Sequence, residues 1–171
     1  ADGTGPDAGR TGRGTGPPGR PRCQPVVGAT FENRLRYASK SGVAHLVAAG
    51  EEAVIEDARY LLSFLPQNNL ETPVYAAPAD PVDREAPELD TLVPDSPTKP
   101  YDIKSVIHAV VDDSDFLEFK ALFGPGTVCA HASIHGQPLG ILTNNGPLDP
   151  AGSTKATHFI QACCQSRTPL L

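Results

Sequence analysis

The sequence predicts an α/β protein in which an extended connector joins a helical segment to a segment of mixed helix and strand. Two observations on periodicity carry this. Apolar residues recur at helical spacing in Glu51 to Leu65 and again after Ser153, whereas they alternate at period two in Leu117 to Ala121 and Thr127 to Ile134. The third observation is the placing of proline and glycine. The 171 residues hold 18 Pro and 16 Gly, gathered in Ala1 to Gly28 and in Pro66 to Pro100, which leaves roughly 100 residues with the patterning of a core.

The opening run ADGTGPDAGRTGRGTGPPGRPR has no hydrophobic period and little to bury, so it cannot offset the entropy of ordering itself. Residues 1–37 are expected to be disordered. Such an arginine-glycine arm could bind RNA, but it has no aromatic residue for base stacking. No Gly-Lys-Ser or Gly-Lys-Thr follows the glycines, as a phosphate loop would require.

In Glu51 to Leu65, the residues Val54, Ala58, Leu61, Leu62 and Leu65 fall on one helical stripe, and acids in the first turn favour the dipole. Pro66 stops this helix. The segment from Pro66 to Pro100 contains eight prolines, which bias the backbone to extended conformations. It reads as an interdomain linker, with Val74, Tyr75, Leu89, Leu92 and Val93 as apolar footholds along a surface.

Asp102 can cap a helix in which Ile103, Val106, Ile107 and Val110 share a face, ending at Asp112 and Asp113. The period then changes. Leu117, Phe119 and Ala121 alternate with Glu118 and Lys120, as on a strand with one wet face, and Thr127 to Ile134 alternates likewise. A turn at His135 to Pro138 followed by Leu139 to Thr143 predicts a hairpin. After the polar loop NNGPLDPAG, Ser153 is expected to cap a helix that buries Ala156, Phe159, Ile160 and Cys163. Pro169, Leu170 and Leu171 begin another apolar run, which is what a longer α/β repeat would show if cut there.

Formal net charge is -6. The first 36 residues are basic, with six Arg against Asp2, Asp7 and Glu32, so the remainder is acidic and argues against nucleic acid as a partner. Cys23, Cys129, Cys163 and Cys164 show no secretory framework and suit reduced thiols. There is no run of 18 apolar residues and no apolar signal core, so neither a membrane span nor secretion is expected. The expectation is an intracellular protein, cytoplasmic, or of the mitochondrial matrix in a eukaryote.

Among side chains with chemistry, Cys129 and His131 share a strand face and His135 lies nearby, but no fourth ligand is evident and no metal site is assigned. His158 beside Phe159 reads as a packed histidine rather than a base. Cys163 and Cys164 have no basic neighbour closer than Arg167 to lower a thiol pKa.

The run KPYDIKSVIHAVVDDSDFLEFKALFGPGTVCAHASIHGQPLGILTNNG, followed by THFIQACCQSRTPLL, resembles the carboxyltransferase (beta) subunit of biotin-dependent acyl-CoA carboxylases. Upstream, SKSGVAH from Ser39 to His45, the helix from Glu51 and the phrase LDTLVPDSPTKPYD are similar to the end of the first half of such subunits and its connector. The resemblance covers Ala38 to Leu171 in order, and implies a partial crotonase-like fold. Residues 1–37 are not family-like, 38–65 end the first half, 66–100 are the linker and 101–171 start the second half.

The resemblance implies transfer of a carboxyl group from carboxybiotin to an acyl-CoA. Biotin would be carried on a biotin carboxylase or biotin carboxyl carrier partner, and the carboxyltransferase subunits would form a homo-oligomer. NNG with THFIQACCQ is similar to the 3-methylcrotonyl-CoA and geranyl-CoA types, and favours a branched or unsaturated substrate. VVDDSDFLEF and LDTLVPD are more similar to the propionyl-CoA and acetyl-CoA types, and a biotin-linked decarboxylase or a non-catalytic subunit-interaction fragment are the alternatives. Such chemistry needs pre-aimed N–H donors for an enolate and for the ureido oxygen. In the family these lie on glycine-rich loops that would fall outside this chain, so no catalytic residue is named. Asn144, Asn145 and Gly146 resemble the loop near the biotin pocket, where asparagine could offer donors and acceptors. A turn using Asn and Gly for their tolerance of positive φ explains them equally. His45 is similar to a recurrent residue at the end of the first half and is expected to be structural.

Overall fold

The computed structural model describes residues 31–171, apart from 69, 82, 95, 97, 98 and 100. The disorder expected for 1–37 therefore lies mostly outside the described residues. Its end does not conform, because Phe31–Ser39 forms helix α1 with Arg36 in the last turn, where a cation suits the dipole.

Helix α2, Glu51–Ser63, begins with Glu51 and Glu52 at its N-terminus and ends at Phe64. Only part of the stripe expected to face inward does so, Leu61 and Leu65 being half-buried. Val54 and Leu62 are 55% and 65% exposed, whereas Phe64 is buried at 5%. The inward line is Asp57, Tyr60, Leu61 and Phe64, because Tyr60 is held through its hydroxyl, which donates to the Asp115 carboxylate at 2.7 Å.

The connector runs along the surface as expected, held by polar contacts together with two of the apolar footholds, Leu89 and Leu92, which are half-buried. Val74 and Tyr75 are about half exposed. Ala76 N–H donates to Gly136 O at 3.1 Å, Asp80 accepts from Asp113 N–H at 2.8 Å, and Arg84 donates to the carbonyls of Ala109 and Val111. A short helix α3, Leu89–Leu92, interrupts the extended course.

Helix α4, Ile103–Val110, has Asp102 as its N-cap, accepting from Lys104 N–H as expected. Strands β1 (Phe116–Glu118), β2 (Thr127–Ile134) and β3 (Gln137–Asn144) form an antiparallel sheet in the order β1-β2-β3. The two-residue hairpin turn places His135 and Gly136 at positive φ of 50° and 74°, which matches the twist of the strands it joins. Asp112 fastens that turn, its carboxylate accepting from His135 N–H at 2.8 Å and Gly136 N–H at 2.7 Å.

Helix α5, Pro150–Ser166, starts earlier than expected. Asp149 rather than Ser153 is the cap, accepting from Gly152 N–H, and proline at the first turn costs no intrahelical bond. Gly152, Lys155, Phe159 and Cys163 face inward, and Ile160, expected inside, is 38% exposed. After α5 the chain returns beside β3 with a parallel bridge between Gly140 and Leu170, the strand-helix-strand return anticipated from Pro169 to Leu171.

The sheet is sandwiched between α4 and α5. Alternate β2 residues serve opposite layers: Val128 and Ala132 pack with Ile107, Val111 and Ile141 on the α4 side, and Cys129 packs with Phe159 and Cys163 on the α5 side. Period two thus survives although β2 is buried on both faces.

Candidate functional site

A cavity of about 820 Å³ opens between residues 41–46, the end of α2, the end of β1 and α5. Its walls are largely apolar, with Leu46, Leu61, Leu65 and Leu117 among them, and its polar edge carries His45, Glu118, Lys120, His131 and His158.

Lys120 was expected on the wet face of a strand extending to Ala121. Instead β1 stops at Glu118, and Lys120 sits at φ 52° in the turn that follows, buried to 2% exposure. Its N–H donates to His45 O at 3.2 Å, which ties the end of the first segment to the sheet. Its Nζ lies 2.8 Å from His158 Nδ1. Burial, and then the neighbouring Lys155 charge, hold the ammonium pKa below the usual lysine range.

His45 packs against Phe119 with the rings tilted by 59° and 4.6 Å between their centroids. Its pKa is lowered by burial first and then by the charges of Lys120 and His158. His131 lies between Phe64, at 6.0 Å, and Phe159, at 5.0 Å. Burial alone lowers its pKa, and its Nδ1 has no hydrogen-bond partner among the described residues.

Glu118, also expected on a wet face, lies at the crossing of two layers. Its carboxylate receives Lys104 Nζ of α4 at 2.7 Å and the fully buried Lys155 Nζ of α5 at 3.2 Å. Sequence reasoning missed Lys155, although a signal existed, since it stands four residues before Phe159 and eight before Cys163 on the same helical face.

Asn144, Asn145 and Gly146 stand at the end of β3, and none of them lines the cavity. Asn144 Nδ2 donates to Gly146 O at 3.3 Å. Asn145 Oδ1 accepts from Ile103 N–H at 2.9 Å, satisfying a free donor at the start of α4. Cys129 and His131 are buried beside α5, and His135 is exposed in the hairpin turn. Cys163 is buried and Cys164 exposed; burial pushes the Cys129 and Cys163 thiols up to about 11.

An antiparallel hairpin, a helical return to a parallel strand and a cleft at the sheet edge define a segment of a layered α/β domain. The chain belongs to the carboxyl transferase domain family, whose model matches residues 28–171. The matched span opens ahead of Ala38, where the resemblance was expected to begin. The propionyl-CoA carboxylase carboxyltransferase subunit of Haloferax mediterranei is 39% identical over 140 residues, 79% of this chain and 27% of that protein. The biotin-dependent acetyl-/propionyl-coenzyme A carboxylase beta5 subunit of Mycobacterium tuberculosis is 40% identical over 147 residues, again 79% of this chain and 27% of that protein. Among solved structures, the transcarboxylase 12S hexamer with methylmalonyl-coenzyme A and methylmalonic acid bound superimposes with a TM-score of 0.76 at 37% identity, covering 80% of this chain and 28% of that one. The chain thus spans just over a quarter of the length of these relatives. The crotonase-like carboxyltransferase architecture expected from the resemblance is the fold of the part described.

Proposed function

We propose that this chain is part of the carboxyltransferase component of a biotin-dependent acyl-CoA carboxylase, moving a carboxyl group from carboxybiotin to the carbon beside the thioester of an acyl-CoA. The observation that carries the reading is the unbroken match of residues 28–171 to the carboxyl transferase model, supported by the superposition on the 12S core. In this reading residues 38–65 end one half of the domain, 101–171 begin the other, and 66–100 connect them. Biotin would come on a biotin carboxylase or carrier partner, and copies of the carboxyltransferase would assemble with one another.

The substrate best supported is a short acyl-CoA such as propionyl-CoA or acetyl-CoA, because the relatives above carry those names. A branched or unsaturated acyl-CoA is the second reading, favoured by NNG at Asn144 to Gly146 and by THFIQACCQ. For biotin, the chemistry of the donor set fits at the same loop. Asn145 spends its side-chain oxygen on α4, so Asn144, exposed at the strand end, is the asparagine that would accept from a ureido N–H.

The test uses the full reading frame, tagged in its own cells and purified with whatever binds it. Fixation of labelled bicarbonate with ATP would be measured on propionyl-CoA, acetyl-CoA and 3-methylcrotonyl-CoA, and the co-purified proteins blotted for biotin. Label in the first two with a biotinylated partner is expected. Label in the third alone would replace the substrate assignment by the second reading. A biotinylated partner without label in any acyl-CoA would favour a non-catalytic interaction fragment, and neither label nor biotin would overturn the reading.

A further inference from the structure

Lys120 is a buried cation that no carboxylate among the described residues balances. Its neighbours are His158 Nδ1 at 2.8 Å and the ring faces of Phe119 and Phe123, 5.3 Å and 5.9 Å from Nζ to the centroids. None is an anion. The adjacent carboxylate, Glu118, already receives Lys104 and Lys155, so the buried groups at this sheet edge are two ammoniums, Lys120 and Lys155, against one carboxylate. An ammonium withdrawn from water without a counter-charge is costly, and proteins compensate by pairing it or leaving it to a ligand. Lys120 lines the cavity. An ammonium has three donors. One meets His158, which must hold its own proton on Nε2 to accept it, and the aromatic rings attract the cation without neutralising it.

We propose that Lys120 is the anion-binding group of a site for a small organic carboxylate, whose hydrocarbon part lies against Leu46, Leu61, Leu65 and Leu117. Two features select a carboxylate over a phosphate. The lining has a single ammonium, no arginine and one carboxylate, Glu118, which is already paired with Lys104 and Lys155, so it offers one unbalanced positive charge, which suits a monoanion rather than a doubly charged phosphate. The walls away from Lys120 are mainly apolar, which rewards a hydrocarbon chain and not the ionised oxygens of a phosphate. His158 is a positioning residue, since it holds the ammonium through Nδ1 and need not touch the ligand. The proposal goes beyond the carboxyl-transfer reading and does not depend on it, because free acids are tested without turnover.

The test titrates the full chain with butyrate and hexanoate, with hexanol and inorganic phosphate as comparisons, by calorimetry and by NMR of lysine side chains. Hexanoate is expected to bind saturably, more tightly than butyrate, with hexanol and phosphate at least tenfold weaker, and to shift the Lys120 side-chain resonance. Lys120→Met should weaken hexanoate at least tenfold, Lys120→Arg should retain most of the affinity, and His158→Ala should weaken it severalfold. If Lys120→Met does not fold, the Lys120 resonance of the unsubstituted chain decides the matter. Equal affinity for hexanol, equal affinity for phosphate, an unmoved Lys120 resonance at saturation, or full affinity in a folded Lys120→Met would overturn the proposal.

Discussion

Lys155 Nζ, on a side chain with no exposure, lies 3.2 Å from the Glu118 carboxylate, joining α5 to the edge strand β1. A buried ammonium left without its partner is among the more damaging single changes to a core. Glu118→Gln is expected to destabilise the fold by about 3 kcal/mol, read as a lower midpoint in urea at unchanged slope. Glu118→Gln combined with Lys155→Met should recover part of that loss, since no buried charge is then orphaned. A double variant no more stable than Glu118→Gln alone would show that the pair is not the cause.

Gly136 carries a second prediction. At φ +74° a Cβ would stand 2.2 Å from Ala76 O, so an alanine there strains the hairpin turn and pushes the connector away. Gly136→Ala should cost about 1–2 kcal/mol for the left-handed backbone alone. It should also make residues 66–100 more susceptible to limited proteolysis before the sheet unfolds. Cleavage rates equal to those of the unsubstituted chain would mean that the Ala76 contact does not hold the connector.

The turn depends on Asp112 as well, through two charge-assisted hydrogen bonds to His135 and Gly136. Asp112→Ala should lose on the order of 2 kcal/mol, and amide exchange at His135 and Gly136 should rise more than at Val128. Unchanged protection at the turn would sink the assignment.

His131 sets a pH dependence. Its pKa in the fold lies below the ordinary 6.5 because burial disfavours the charged ring. The unfolded chain therefore binds more protons below about pH 6.5, and stability falls as the pH drops from there until the folded pKa is passed. His45 contributes in the same direction, though it is more exposed. Since His131 packs between Phe64 and Phe159 and leaves Nδ1 unpaired, His131→Phe should keep the fold and flatten the loss of stability between pH 7 and 5. The same slope in that variant would place the titration elsewhere.

Cys163 and Cys164 are adjacent yet should differ in reactivity. Burial pushes the Cys163 thiol up to about 11, whereas Cys164 is exposed. Only the thiolate is nucleophilic, so peptide mapping after brief alkylation should find label on Cys164 well before Cys163. Equal labelling would show that α5 opens on that timescale.

The sequence by itself determined the elements whose causes are local. Alternation along Thr127 to Ile134, the cap at Asp102 and the helical spacing of Phe159 and Cys163 rest on neighbours a few residues apart, and each appears where it was expected. The resemblance of Ala38 to Leu171 likewise placed the chain in its family. Only the tertiary structure decided which polar groups are inside. Glu118 and Lys120 sit at positions that alternate like a wet face, but helices on both sides of the sheet leave no such face, so one becomes the centre of an ion-pair cluster and the other the wall of a cavity. The inward face of α2 centres on Tyr60 and Phe64 and keeps only Leu61 and Leu65 of the expected stripe, and Asn145 became a support for α4. Each of these outcomes depends on a partner 37 to 67 residues distant in the chain, and local periodicity carries no information about contacts at that range.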